Sequence, residues 1–361
     1  MKEYLTDKIR NVALVSHSSA GKTMLAEAFL HATGALTRLG SIQDGSTTSD
    51  YDDEEIRRGI SLSTSVLPVE FEGYKLNLLD TPGYSDFVGE VISALRVADA
   101  SLILVDSVAG AAVGTEIGWA YSDEFKLPRF VIINKMDRDN ANFEKALGSI
   151  AEITDARLLP LQLPWGEKES FKGVLDLLSM KAYAGEGKIA EDIPSEYSDA
   201  VEEARMTLVE AAAEGDDELL MKYLDGEDLS TDEIMAGLRS AVHAGEVVPV
   251  FVTSATSEIG LIPLMRAIVA LLPSPAEIPT VKAESDEGTV ELLASSSGPL
   301  AAYVWKTTAD PFVGKITYFR VYSGKIKSDS RVWNQSAGEE ERFGNISVIR
   351  GKDQVSVKEI H

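Results

Sequence analysis

Four short clusters, in fixed order along the chain, have residue types and contexts suited to holding a nucleotide. Ser16-His17-Ser18-Ser19-Ala20-Gly21-Lys22-Thr23 follows the apolar run 12–15 and opens an amphipathic stretch. In that setting the backbone N–H groups of Ser19, Ala20, Gly21, Lys22 and Thr23 wrap phosphate oxygens at a helix N-terminus. Lys22 then reaches the outer phosphates, and the Thr23 hydroxyl reaches Mg²⁺. Loops of this kind begin with glycine, and here that place is Ser16. Taken alone, the octet can also be read as a plain turn before a helix.

The later clusters decide between those readings. Asp80-Thr81-Pro82-Gly83 ends the apolar run 76–79, which puts the Asp80 carboxylate where it can hold a water on Mg²⁺. It also lets the Gly83 N–H approach the terminal phosphate without a side chain in the way. A Pro-Gly turn after a strand is common, so its place downstream of a phosphate loop is what makes it informative. Asn134-Lys135-Met136-Asp137 ends the run 130–133. The Asp137 carboxylate accepts from the ring N–H and exocyclic amine of guanine, whereas adenine offers no matching donors there. Lys135 is expected to lie along the base plane and Asn134 to tie this loop to the phosphate loop. Ser254-Ala255 follows another apolar run and is expected to give a backbone N–H to the guanine carbonyl. A helix cap would account for the tetrapeptide 134–137 but not for four elements in this order. The expected ligands are GTP or GDP with Mg²⁺.

Residues at the ends of apolar runs need those runs side by side. Stretches 12–15, 76–79, 101–105 and 130–133 are four or five residues long and mostly apolar, and each leads into a helical pattern. Such alternation predicts an α/β domain with a parallel central sheet covered on both faces. From about 158 the pattern turns helical and acidic, with 20 acidic against 7 basic residues between 158 and 245. Ser230-Thr231-Asp232-Glu233 there is a capping signature before the helical run 234–243. The strand pattern resumes at 247–252, followed by a helix over 261–272 that Pro273 and Pro275 terminate. Residues 276–297 read as a polar linker, and 301–305, 314–322 and 331–333 as short strands of a β-barrel. The division expected is 1–157 with 246–280 as the nucleotide-binding domain, 158–245 as an inserted α-rich subdomain and 281–361 as the start of a barrel domain. So few strands before His361 suggest that the barrel is incomplete in this sequence. Trp305, Tyr318, Phe319 and Trp333 are expected in the barrel core and not as base-stacking residues.

Composition narrows the classes further. The 361 residues contain no cysteine, and His17, His31, His243 and His361 are scattered, which excludes thiolate zinc sites and argues against a histidine metal site. A net charge of −24 argues against broad DNA or RNA binding through clustered basic residues, though a local RNA contact is compatible with it. No run approaches the length of a membrane span and the start of the chain has no signal-peptide core. A cytoplasmic monomer without membrane or DNA partners is expected.

The chain resembles the translational GTPases, and the elongation factor G family most closely. The resemblance rests on the phosphate loop, Arg57-Arg58-Gly59-Ile60-Ser61, residues 80–87, Leu95-Arg96-Val97-Ala98-Asp99 and Asn134 to Arg138. It continues in Pro311-Phe312-Val313-Gly314-Lys315 and Phe319-Arg320-Val321-Tyr322-Ser323-Gly324. It implies a ribosome-associated GTPase that contacts ribosomal RNA and stalk proteins, with the acidic insert facing the stalk. It also implies that the segment around Ser61 is the first switch, where Ser61 takes the place of a metal-binding threonine. Two departures fall on hydrolysis. Tyr84 stands where the family has the histidine that positions the attacking water, and Ser19 stands where it usually has an aspartate associated with a monovalent cation. A phenol cannot replace imidazole as a base at neutral pH, although its hydroxyl can orient water. The resemblance therefore implies a paralogue with Tyr84, Lys22 and Gly83 as its hydrolytic residues. Three activities stay open: a ribosome-stimulated GTPase, a GTP-binding switch that hydrolyses poorly, and a portion of chain that binds nucleotide without moving tRNA.

Overall fold

The structure is a computed structural model that describes residues 2–278, 280–285, 288–310 and 314–361. Pro311, Phe312 and Val313 of the quoted motif lie outside the described residues.

Strand β1 (Ile9–Val15) shows why the apolar runs form a sheet buried on both sides. Val12 and Leu14 enter one hydrophobic cluster and Ala13 and Val15 the other, the alternation of a strand with a core on each face. Helix α1 (Lys22–Ala32) follows, then the short α2 (Asp53–Arg58). Strands β2 (Ser65–Phe71) and β3 (Tyr74–Asp80) form a hairpin, and α3 (Val88–Arg96) and β4 (Ala100–Asp106) come next. Then come α4 (Val113–Glu124), β5 (Arg129–Asn134), α5 (Phe143–Ala151) and β6 (Arg157–Pro160).

After β6 the chain makes a four-stranded antiparallel sheet from β7 (Gln162–Trp165), β8 (Gly173–Asp176), β9 (Lys181–Ala184) and β10 (Ala190–Glu191). Helices α6 (Ser198–Glu214), α7 (Asp217–Leu224) and α8 (Thr231–Ala244) complete this insert before β11 (Val247–Val252) and α9 (Leu261–Leu271). The central sheet has the order β2-β3-β1-β4-β5-β11-β6 and is parallel except for β2. Helices α1 and α9 cover one face, where Phe130 and Phe251 stack at 4.9 Å, and α3, α4 and α5 cover the other.

The insert differs from its helical reading in two ways. Residues 157–160 pair with β11 at the edge of the central sheet, and the insert opens with strands before its helices. Strands of two to four residues, interrupted by Pro160, Pro164 and several glycines, are too short to show a periodicity of two. The helices behave as read: Val201, Leu208, Ala211 and Ala212 of α6 pack against Leu238 and Ala241 of α8, and most acidic side chains face outward.

Beyond Pro275 the chain is built of hairpins. The stretch read as a linker contains β12 (Val281–Ser285) paired with β13 (Gly288–Leu292). Strands β14 (Ala301–Asp310) and β15 (Gly314–Ser323) form the longest pair. Three short pairings follow, made by β16 (Ile326–Lys327), β17 (Arg331–Asn334), β18 (Glu339–Arg342), β19 (Ile346–Arg350), β20 (Asp353–Val357) and β21 (Glu359–Ile360). Trp305 packs edge-on to Tyr318 at 5.6 Å and Phe319 to Phe343 at 5.4 Å. Trp333, expected in this core, is instead 61% exposed, because it sits on the outer β17–β18 hairpin with its indole N–H donated to Gln335.

Two of the quoted motifs meet at the junction between the parts. Arg320 donates to Asp99 at 2.6 Å and to the Val97 carbonyl at 2.7 Å, and Asn11 donates to the other Asp99 oxygen at 2.8 Å. Burial pushes the Asp99 carboxyl up, while Arg320 and Asn11 favour its charge. Beside this pair lies a cavity of about 730 Å³ lined by Asn11, Asn77, Trp305 and Arg320. Asn11 belongs to the first half of β1, and Asp99 and Pro128, which also line the cavity, precede β4 and β5, so the cavity lies toward the end of the sheet opposite the carboxyl ends.

Candidate nucleotide site

The register of the sheet brings the four clusters to one edge. Leu14 lies beside Asp80, Val15 beside Ile103, Asp106 beside Asn134 and Val252 beside Ile133, so the carboxyl ends of β1, β3, β4, β5 and β11 are adjacent. Ligands of open α/β sheets bind outside such ends.

The phosphate loop leaves β1 and turns into α1 through left-handed backbone at Ser19 (φ 65°) and Gly21 (φ 105°). Only glycine serves at position 21, because a Cβ there would lie 2.4 Å from Asn134 Nδ2. Helix α1 has no side-chain cap, so its first N–H groups are available to an anion. Ser16 is not one of the positive-φ residues, so its backbone does not require the glycine that the general pattern has there. Its hydroxyl donates to the His17 carbonyl at 2.7 Å and accepts from Lys22 Nζ at 2.9 Å. Burial pushes the Lys22 ammonium down to about 8, against the pull of Asp80 and Asp50. A buried ammonium whose charge is disfavoured by burial is suited to an incoming phosphate, whose negative charge compensates it.

A second group of oxygens sits beside Thr23. Its Oγ1 donates to Asp80 Oδ2 at 2.7 Å and lies 3.2 Å from Ser61 Oγ, so Thr23 touches both of the other residues expected at the metal. Ser49 Oγ donates to the same Asp80 oxygen at 2.6 Å. Asp50 is buried next to them; burial and the Asp80 charge push its carboxyl up to about 7, and a hydrogen bond with Ser61 opposes this. Asp80 is pushed up as well, chiefly by burial. One oxygen of each carboxylate, Asp80 Oδ1 and Asp50 Oδ1, is buried without a partner. Two buried carboxylates with orphaned oxygens among hydroxyls are the donor set of a hard cation, and the residues present fit Mg²⁺.

Gly83 passes directly over the loop: a Cβ there would lie 2.6 Å from Lys22 Nζ and 2.7 Å from the Ser18 backbone. Tyr84, next in the chain, is 43% exposed at the rim. The structure therefore joins Lys22 and Gly83 and leaves Tyr84 partly open to solvent.

At the other end of the crevice Asn134 donates to the Ala20 carbonyl at 2.9 Å. Its Oδ1 accepts from the Thr253 hydroxyl at 3.1 Å and from the Ala255 N–H at 3.0 Å. The Ala255 N–H, expected to face the base, is thus directed at Asn134 here. Lys135 adopts φ 65° and places its Nζ 2.7 Å from Asp106. Burial works against the Asp106 charge, but Lys135 and the Val108 and Ala109 N–H groups outweigh it and hold the carboxyl below the usual range. The Asp137 oxygens accept from Ser254 Oγ at 2.7 Å and Ser257 Oγ at 3.1 Å. Sequence reasoning did not single out Ser49, Asp50, Asp106 or Ser257. Asp106 had a positional signal, as the carboxylate ending the apolar run 101–105. Asp50 had no such signal, because it lies in an acidic stretch with Asp52, Asp53, Glu54 and Glu55.

A mostly parallel sheet with a phosphate loop, Asp-Thr-Pro-Gly and Asn-Lys-Met-Asp at its carboxyl edge defines a P-loop GTP-binding domain. Comparison with known proteins agrees. The family profile of the elongation factor Tu GTP binding domain matches residues 7–274, and that of elongation factor G domain 2 matches residues 299–361. The chain belongs to the elongation-factor family of GTP-binding proteins, with a GTP-binding domain followed by a second domain of the elongation factor G type. A crystal structure of a protein from Thermus thermophilus superposes with a TM-score of 0.86 at 36% identity, covering 98% of this chain and 51% of that one. The chain thus spans about half the length of that structure.

Proposed function

We propose that the chain binds GTP and GDP with Mg²⁺ held through Thr23, Ser61 and Asp80, and that it hydrolyses GTP at the ribosome. The observation that carries this reading is the contact of Thr23 with both Asp80 and Ser61, one residue from each of three separated segments. The assigned nucleotide contacts are the loop N–H groups from Ser19 to Thr23, Lys22, Asn134, Lys135, Asp137 and the Ser254-Ala255 turn. A bound Mg²⁺ neutralises phosphate charge. Lys22 and the loop N–H groups stabilise charge that develops on the phosphoryl oxygens, and they are fixed in place before the reaction. The Gly83 N–H faces the terminal phosphate, and Tyr84 orients water. In this reading the insert 158–245 faces the ribosomal stalk, and the protein acts in the cytoplasm as a monomer.

The second reading is a GTP-dependent ribosome-docking switch that turns over slowly, favoured by the exposure of Tyr84 at the rim of the crevice. The test is phosphate release from GTP by this chain, with and without ribosomes. Stimulation above ribosomes alone supports the enzyme. Tight GTP binding without stimulation supports the switch, and no GTP binding ends both readings.

A further inference from the structure

The second domain reaches the stretch 47–64, which contains Ser61, at three places. At the first, Lys306 of β14 extends into the first domain, where its Nζ donates to Ser63 Oγ, to the Thr64 carbonyl at 2.7 Å and to Glu90 Oε2 at 3.0 Å. Glu90 closes the cluster by accepting from the Thr64 N–H at 2.6 Å, and Thr64 Oγ1 donates to the Glu90 carbonyl at 3.2 Å. At the second, Tyr318 lies close enough to Tyr51 to act on its phenol, which burial and the neighbouring Tyr318 push up. At the third, Gly351 donates its N–H to the Val66 carbonyl at 3.1 Å, and a Cβ on it would lie 2.1 Å from the Thr48 carbonyl oxygen. Between these attachments lie Ser49, Asp50 and Ser61, the residues gathered around Asp80 and Thr23.

The Lys306 side chain is only 7% exposed. Burying an ammonium is costly, and an apolar residue would glue two domains together as well or better, so the charge calls for an explanation beyond adhesion. Its three acceptors supply one: two belong to the backbone and side chain of residues 63–64, immediately after Ser61. The N–H groups of Leu62 and Ser63 are meanwhile held by Glu55 Oε1 at 2.9 and 3.2 Å. With Glu55 on one side and Lys306 with Glu90 on the other, residues 61–64 have little freedom to withdraw from Thr23.

We propose that Lys306 is a positioning residue for Ser61: by fixing Ser63 and Thr64 to the docked second domain, it couples domain docking to preference for a nucleotide with a γ-phosphate. The inference rests on the GTP-binding reading above. Its test compares Lys306→Met, Lys306→Arg and Ser63→Ala with the parent chain. Affinities for GDP and a non-hydrolysable GTP analogue are measured at fixed Mg²⁺, together with the rate of tryptic cleavage at Arg57 and Arg58. Lys306→Met is expected to weaken the analogue by about tenfold, the worth of one charge-assisted hydrogen bond, and GDP by less than about twofold. Cleavage in the presence of the analogue should accelerate. Ser63→Ala, which leaves the second domain untouched, should act in the same direction, and Lys306→Arg should recover much of the loss. Equal weakening of both nucleotides makes Lys306 structural and overturns the proposal, as does no change in either. If the parent chain binds neither nucleotide, the GTP-binding reading itself has failed.

Discussion

Asn134 Nδ2 donates to the Ala20 carbonyl oxygen at 2.9 Å, linking the guanine loop to the phosphate loop across 114 residues of sequence. The same side chain accepts from Ala255 and Thr253, so one amide holds three segments in register. Asn134→Ala removes all three bonds and leaves buried groups unpaired. The expected cost is about 2–4 kcal/mol of stability, given ~1 kcal/mol per bond and the added penalty of unpaired groups. Thermal melts with and without GDP measure it: the variant melts lower, and GDP raises its melting point less than that of the parent. An unchanged GDP-induced shift would mean that the link between the loops is dispensable.

The parts that were legible in the sequence are those set by local chemistry. The ends of β1, β3, β5 and β11 follow from apolar runs meeting polar clusters, and the cap at Ser230 follows from a hydroxyl and a glutamate three residues apart. What escaped depends on distant partners. Asp50 is one acid in a run with Asp52, Asp53, Glu54 and Glu55, and nothing local tells that it is buried beside Asp80 while Asp53 is exposed. Most of that run forms the capped helix α2, with Asp52 and Glu55 making the reciprocal capping bonds. The hairpin β12–β13 was hidden because its strands are largely exposed and polar.

Asp137 has both oxygens engaged by hydroxyls, Ser254 and Ser257, which hold the carboxylate in place at the base end of the crevice. Asp137→Asn turns one acceptor into a donor that faces the guanine N–H and amine. Loss of this polar match should weaken GDP by about 10²-fold or more. Xanthosine diphosphate carries a carbonyl where guanine has its amine, so the same variant should bind it better than the parent does. Competition between the two diphosphates reads the change. If the preference stays with guanine, Asp137 does not choose the base.

Glu233 accepts from Lys222 at 2.8 and 3.0 Å and from the Ser230 N–H and hydroxyl, which pull its carboxyl down to about 2. A carboxyl whose folded pKa is depressed contributes stability that is present above its ordinary value near ~4.5 and is lost as pH falls toward 2. Glu233→Gln should therefore speed amide exchange in the first turn of α8 at pH 6, and the difference from the parent should shrink as pH falls from 4.5. A gap that persisted at the acid end would assign the effect to shape and not to charge.

Tyr84 stands at the rim of the crevice, 43% exposed, one residue beyond the glycine that lies against Lys22 and Ser18. Its side chain sits at the rim and is not one of the groups assigned to the nucleotide, so Tyr84→His should leave GTP and GDP binding within about twofold of the parent, a difference of about 0.4 kcal/mol. Turnover is a separate matter, because imidazole can accept a proton from water near neutral pH and a phenol cannot. If position 84 limits hydrolysis, the histidine variant should raise ribosome-stimulated phosphate release by about 10²-fold, the lower end of what a positioned acid or base contributes. Such a gain, with binding unchanged, would favour the slow switch as the role of the parent chain. Equal rates would place the limit in ribosome engagement or in switch closure, where Lys306 and Ser61 act, and would leave Tyr84 compatible with a working GTPase.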